Sequence, residues 1–153
     1  MGSEAGAGGT DLVPKSRDAV YSYFPHDADI GISATGKTLE EAFVHAAEAV
    51  FSLMTDPGEI RTVVRVDFSF EEKNREFALV EWINLLLSEA DIRGLVFRQF
   101  ELERLVDVWK GKAWGEPWSE RHQRGIEVKG ATLTHLAVKE GPGNWAVRLV
   151  VDV

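Results

Sequence analysis

The sequence predicts an α+β domain, two helices packed on a mostly antiparallel sheet in the order β–α–β–α–β–β–β–β. Three observations predict it. Apolar residues recur at helical spacing in only two segments, one after Thr38 and one after Asn74. The segments before and between them alternate apolar with polar residues, the period of a strand with one wet face. Everything after Gly94 reads as strands broken by turn signals, so these strands pair as hairpins and not through helical crossovers.

Residues 1–18 are Gly, Ala and polar residues without an apolar period, and a disordered tail or an expression remnant is expected there, ahead of a domain at 19–153. Tyr21 opens the ordered chain. Ala28, Ile30, Ile32 and Ala34 alternate with Asp29, Gly31, Ser33 and Thr35, which makes a half-buried strand and puts Asp29 on the face opposite Ile30. Thr38-Leu39-Glu40-Glu41 is a capping box, in which the hydroxyl takes an orphan backbone N–H and Glu41 reaches back. Leu39, Ala42, Phe43, Ala46, Ala47, Val50 and Met54 then share one helical face, and Asp56-Pro57-Gly58 ends it. Val64, Val66, Phe68 and Phe70 form a second alternating strand. The second helix carries Phe77, Leu79, Val80, Trp82, Ile83, Leu85, Leu86 and Leu87, apolar nearly all round, and is expected to be the central buried one, with Gly94 as its stop. A hairpin over Leu95–Val106 and Val108–Gly115, a polar loop at 116–125, a strand over Ile126–Lys139, a turn at Gly141–Asn144 and a last alternating strand ending at Val153 complete the chain.

With 44% hydrophobic and 27% charged residues, five Trp and eight Phe, the chain has the composition of a globular domain with a heavy aromatic core. It has no Cys, which excludes a disulfide framework, a thiolate metal site and a thiol nucleophile. No run approaches the roughly 18 apolar residues of a membrane helix, and a cytoplasmic setting is the expectation. The net charge of −8 repels a phosphate backbone, so tight nucleic-acid binding is disfavoured against a basic protein surface or a metal cation.

Gly31-Ile32-Ser33-Ala34-Thr35-Gly36-Lys37-Thr38 fits the phosphate-loop pattern G-x-x-x-x-G-K-[ST] letter for letter, and Leu149-Val150-Val151-Asp152 resembles the strand and aspartate that hold magnesium in such proteins. A nucleotide-binding enzyme using Lys37 and Asp152 is therefore the competing reading. Against it, Ile30, Ile32 and Ala34 keep a strand period through the supposed loop, and the preceding His26, Asp27 and Asp29 would repel a triphosphate. The last part of the chain also lacks the helices a doubly wound nucleotide fold requires.

A second site reads from the acidic residues. Asp29 lies on the polar face of the first strand and Asp152 on that of the last, with the α-carboxylate of Val153 following at once. If these strands pair, the carboxylates converge, and a hard divalent cation (Ca²⁺, Mg²⁺ or Mn²⁺) relieves their repulsion. Two solvated strand-end aspartates fit the spacing as well. His26 fits an outer-shell partner of such a site or a plain surface residue, and Lys129 alone reads as a solvated strand lysine. No catalytic set stands out, and no enzyme activity is expected.

His26-x-Ala28-Asp29-Ile30-Gly31, Gly36-x-Thr38-Leu39-Glu40-Glu41-Ala42-Phe43 with Phe51-Ser52-Leu53-Met54, Trp82–Leu86, Ala113-Trp114-Gly115-Glu116, Val128-Lys129 with Thr132, and Val151-Asp152-Val153 resemble, in this order, the archease family. The resemblance covers residues 21–153. Asp27, Gly130 and Leu133-Thr134 depart from it, the last standing where the family has an aromatic–His pair. The resemblance implies a non-enzymatic partner of the GTP-dependent tRNA-splicing RNA ligase that promotes ligase guanylylation and multiple turnover. It also implies a chaperone-like role towards a tRNA methyltransferase in some members. It matches Asp29 and Asp152 to the family's metal-binding aspartates and Lys129 to a functionally important lysine.

Overall fold

In the computed structural model, which describes residues 19–153, the chain opens on a hairpin of β1 (Tyr21–His26) and β2 (Asp29–Gly36). The tail expected at 1–18 lies outside the described residues. Asp27 at the hairpin turn has φ +53°, in the left-handed region that short polar side chains tolerate. β2 leads into α1 (Leu39–Met54), whose start is fixed by the Thr38 hydroxyl accepting the Glu41 N–H at 3.0 Å. Glu41 reaches back one residue further than a capping box needs, taking the Lys37 N–H at 2.6 Å. A short 3₁₀ turn at Pro57–Glu59, capped by Asp56, leads to β3 (Val64–Glu71). α2 (Arg75–Arg93) is capped by Asn74 and stopped by Gly94 in the left-handed conformation, φ +67°. Then follow β4 (Leu95–Leu105), β5 (Val108–Pro117), β6 (Gly130–Ala131), β7 (Ala137–Gly141) and β8 (Asn144–Asp152).

The strands form two antiparallel sheets. One has the order β1-β2-β8-β6, with β7 also pairing β8. The other has the order β3-β5-β4. The last strand thus lies beside the second, with Ile30↔Val151, Ile32↔Leu149 and Ala34↔Val147 as inward-facing pairs. α1 lies between the sheets, on β2 and β8 at one side and on β4 at the other. Ala42, Ala46, Ala47 and Ala49 have no solvent exposure, and their small side chains let strands approach from both sides. Phe43 stacks on Trp109 of β5 with ring centroids 5.1 Å apart.

The two helices exchange the roles the sequence suggests. α2 buries one face through Ala78, Leu79, Trp82, Ile83, Leu86, Leu87 and Ala90, while Phe77 is 50% and Ile92 74% exposed. The central helix is α1, because alanines rather than bulky residues fit between two sheets. Trp82 joins the helices by donating its indole N–H to the Phe43 carbonyl at 3.1 Å.

The α+β class, the two helices, the β4–β5 hairpin and the last strand agree with the expectation. Two details differ. Tyr21–His26 is a strand of its own, hidden in the sequence by Pro25 and His26. The strand expected over Ile126–Lys139 is broken into β6 and β7 by a turn where His135 takes φ +52°. Its first residue serves α1 instead, together with the last of the preceding loop: Gly125 and Ile126 donate their N–H groups to the Met54 and Leu53 carbonyls at 2.7 and 2.8 Å, satisfying orphan acceptors at the helix end.

The phosphate-loop reading is overturned, and each letter of the pattern has another cause. Gly31 to Ala34 are strand residues paired with both β1 and β8, and Thr35 and Gly36 are paired with β8, so their backbone cannot wrap a phosphate. A Cβ on Gly31 would sit 2.2 Å from the Phe24 ring, and one on Gly36 would sit 2.4 Å from the Ala42 nitrogen. Lys37 is exposed, and Thr38 is the helix cap.

Candidate functional site

The tight β1–β2 turn sets His26 opposite Asp29. β2 pairs β8 with Ile30 opposite Val151, so one step further along the ladder Asp29 faces Asp152. Asp152 in turn pairs with Gly130 of β6. His26, Asp29 and Asp152 therefore form a row across three strands, on the face opposite the buried Ile30 and Val151. Directly opposed residues on one face have Cβ atoms about 4.5–5.5 Å apart, close enough for two carboxylates to repel or to share a cation. Asp152 is exposed and Asp29 half-buried. Among the described residues no ion pair engages either carboxylate.

His26 is half-buried, and its Nδ1 is a buried nitrogen without a hydrogen-bond partner. Its ring meets that of His135 edge to face at 4.8 Å. His135 was not singled out in the sequence. It stands one position beyond the aromatic–His pair the family resemblance leads one to expect, and its left-handed backbone brings it back to the row. Val153 is partly buried against the core. Lys129 joins the row through its backbone, donating its N–H to the Asp152 carbonyl at 2.8 Å. Its side chain is exposed and lines a groove of about 930 Å³ between α2 and the segment 124–131, which neither Asp29 nor Asp152 lines. The structure thus brings Asp29 and Asp152 together and places Lys129 beside them on a different surface.

The donor set suits a hard cation in part. Two adjacent carboxylates favour Ca²⁺, Mg²⁺ or Mn²⁺ over softer ions. No three His, Cys, Asp or Glu side chains converge as metal ligands among the described residues. A cation held here would complete its shell with main-chain oxygens and with water.

A second polar cluster lies in the loop after β5. Glu116 is only 7% exposed, and its Oε2 accepts from the Arg61 backbone N–H at 2.7 Å, from Arg121 Nη2 at 2.5 Å and from His122 Nε2 at 2.9 Å. His122 Nδ1 accepts the Ser119 backbone N–H at 3.0 Å, with the Ser119 hydroxyl at 3.4 Å. Ser119, His122 and Glu116 look like a nucleophilic set, but the ring is turned the other way. The nitrogen near the hydroxyl is already taken by a backbone N–H, so it cannot accept the hydroxyl proton. The cluster is a clasp that fastens the loop to the Arg61 backbone. It was invisible in the sequence because buried polar residues and solvated ones look alike there.

The clasp gives a pH prediction. The Arg61 N–H, then Arg121 and His122, hold the Glu116 carboxyl down from its ordinary value of 4.5 to about 2. A depressed carboxylate contributes stability that is fully present above the ordinary value and lost as pH falls from there through about 2. Urea midpoints taken between pH 6 and pH 2.5 should fall more steeply for the wild type than for Glu116→Gln, with the two curves converging at the acid end. Parallel curves would remove Glu116 as a source of the acid sensitivity.

An α+β domain with a central helix between two antiparallel sheets, and with an acidic row where its second and last strands meet, defines the class of protein. The chain belongs to the Archease protein family, whose sequence pattern it matches over residues 21–153. The archease of Sulfolobus acidocaldarius is 38% identical over 138 residues, covering 87% of this chain and 98% of its own. That of Pyrococcus furiosus is 35% identical over 139 residues, with the same coverage. The solution structure of protein 1598 of Methanobacterium thermoautotrophicum matches with a TM-score of 0.75 at 28% identity, over 88% of this chain and 99% of that one. The crystal structure of a Thermotoga maritima protein, described as an archease and possible chaperone, has a TM-score of 0.61 at 18% identity, a likeness of fold alone.

Proposed function

We propose that this chain is a non-enzymatic activator of a GTP-dependent tRNA-splicing RNA ligase, working by protein–protein contact to promote ligase guanylylation and repeated turnover in the cytoplasm. The observation that carries the reading is the pairing of Asp29 with Asp152 in a chain of the archease family. In this reading the two carboxylates hold a divalent cation at the sheet end. The cation supplies positive charge for a phosphate or carboxylate of the partner. Lys129 offers an ammonium group on the adjoining surface for a partner anion or a nucleotide phosphate. The net charge of −8 suits a basic ligase surface better than RNA itself.

The test supplies the cognate ligase with GTP, metal and excess RNA ends, and follows ligase–GMP formation and turnover. The wild type should accelerate both, and Asp29→Ala/Asp152→Ala/Lys129→Ala should return them to the rate of ligase alone. No acceleration by wild type removes the function, and full acceleration by the triple variant removes this choice of residues. The family resemblance also supports a second reading, a chaperone-like role in which a tRNA methyltransferase is the client. More soluble, active methyltransferase on co-expression, without any effect on the ligase, would select it.

A further inference from the structure

We propose that the tip of the β4–β5 hairpin, Leu105-Val106, is an anchor that inserts into an apolar pocket with a basic rim on the partner ligase; the inference rests on the ligase reading above. Leu105 is 67% and Val106 84% exposed. Other large apolar side chains exposed among the described residues stand singly, at Val63, Phe77, Ile92 and Leu133; here two are adjacent on a protrusion. Val106 also holds φ +59°, a conformation that β-branched residues rarely adopt. Leu105 pairs with Val108, so Val106 and Asp107 are a two-residue hairpin loop, where Gly, Asn or Asp satisfies the positive φ without strain. Nothing in the fold repays Val106 for that conformation, since its side chain projects into solvent. Strain without an internal use points to an external one.

The arm behind the tip is stiff, because β4 and β5 pair from Leu95↔Pro117 to Leu105↔Val108. A stiff arm presents its anchor already ordered, which lowers the cost of binding. The charges around the tip indicate the partner. The Glu72 N–H donates to the Asp107 carbonyl at 2.9 Å, bringing Glu71 and Glu72 against the turn. Arg104 lies over the Trp109 ring at 5.4 Å, and Lys110 stands opposite Glu103 in the ladder. Arg104 keeps its charge over the neutral indole, so Glu71, Glu72, Glu103 and Asp107 stand against Lys73, Arg104 and Lys110, which leaves the collar acidic by one charge and favours a basic rim around the receiving pocket.

The test uses Val106→Asn, which keeps a short side chain suited to the left-handed region, and Leu105→Ser. Val106→Asn should raise Tm by about 2–4 °C, the size expected from relieving one unfavourable backbone conformation. The same variant should need at least about tenfold more protein for half-maximal stimulation of ligase–GMP formation, the loss of one interface anchor. Leu105→Ser should weaken stimulation similarly with Tm unchanged. A turn with a purely structural role cannot gain stability while losing partner action. Both variants stimulating like wild type, or Val106→Asn losing stability and stimulation together, would overturn the anchor. Wild-type protein that fails to stimulate the ligase at all would fail the ligase reading itself, and the anchor with it.

Discussion

Trp82→Ala should cost about 3–5 kcal/mol of folding stability, the range for deleting a large buried aromatic side chain. Trp82 is 0% exposed and meets the Phe68 ring edge to face at 6.0 Å. Its six-membered ring occupies the space left by Gly111, where a Cβ would lie 2.5 Å from it. Truncation therefore opens a cavity between α2 and the β3-β5-β4 sheet that Gly111 cannot fill. It also removes the indole N–H donated to the Phe43 carbonyl, an extra bond to an acceptor that α1 already uses, and so loosens α2 from the central helix. For a domain of this size the loss corresponds to a fall in Tm of roughly 6–20 °C. Trp114→Ala is the control, because Trp114 is half-exposed and faces outward beside Arg65 and Gln99. A Trp82 variant that melts within a few degrees of wild type, or no lower than the Trp114 variant, would show that α2 is not fastened through this side chain.

What could be read from the sequence was whatever local period and capping decide. The Thr38 cap, the Asn74 start, the Gly94 stop and the alternation at Ile30–Ala34 and Val147–Val151 all stand in the structure because each is fixed by neighbours within a few residues. The position of a helix in the layers is not local. α2 carries more bulky apolar letters, yet α1 takes the centre because its alanines fit between two sheets, a matter of volume and not of hydrophobic count. The acidic row was legible only as a conditional. Asp29 and Asp152 could be put on polar faces by parity, but their meeting depends on which strand pairs with which, and spacing does not encode that. The Glu116 clasp, His135 and the split of Ile126–Lys139 into two strands depend on long-range contacts and on single left-handed residues, for which the letters carry no distinct signal.

In metal-free buffer, Asp29→Asn and Asp152→Asn should each raise stability slightly, by about 0.2–1 kcal/mol, because like charges directly opposed across a ladder destabilise it and either substitution removes one. With Ca²⁺ or Mg²⁺ present the order should reverse. A cation that binds only the native state stabilises it by about 2.7 kcal/mol at one hundred times its dissociation constant, so wild-type Tm should climb by roughly 5–11 °C while neither variant responds. The crossing of the curves separates this from the bland alternative. Two solvated aspartates would give the small gain on substitution and no response to metal in any protein. His26→Gln adds a finer reading. If His26, opposite Asp29 in the ladder, stands in the outer shell of the bound cation, the metal-induced shift should shrink without vanishing, whereas loss of either carboxylate removes it. A wild type whose Tm is unchanged at saturating Ca²⁺, Mg²⁺ and Mn²⁺ would leave the row as surface charge, and the partner would then have to be met by Lys129, the acidic surface and the Leu105-Val106 tip.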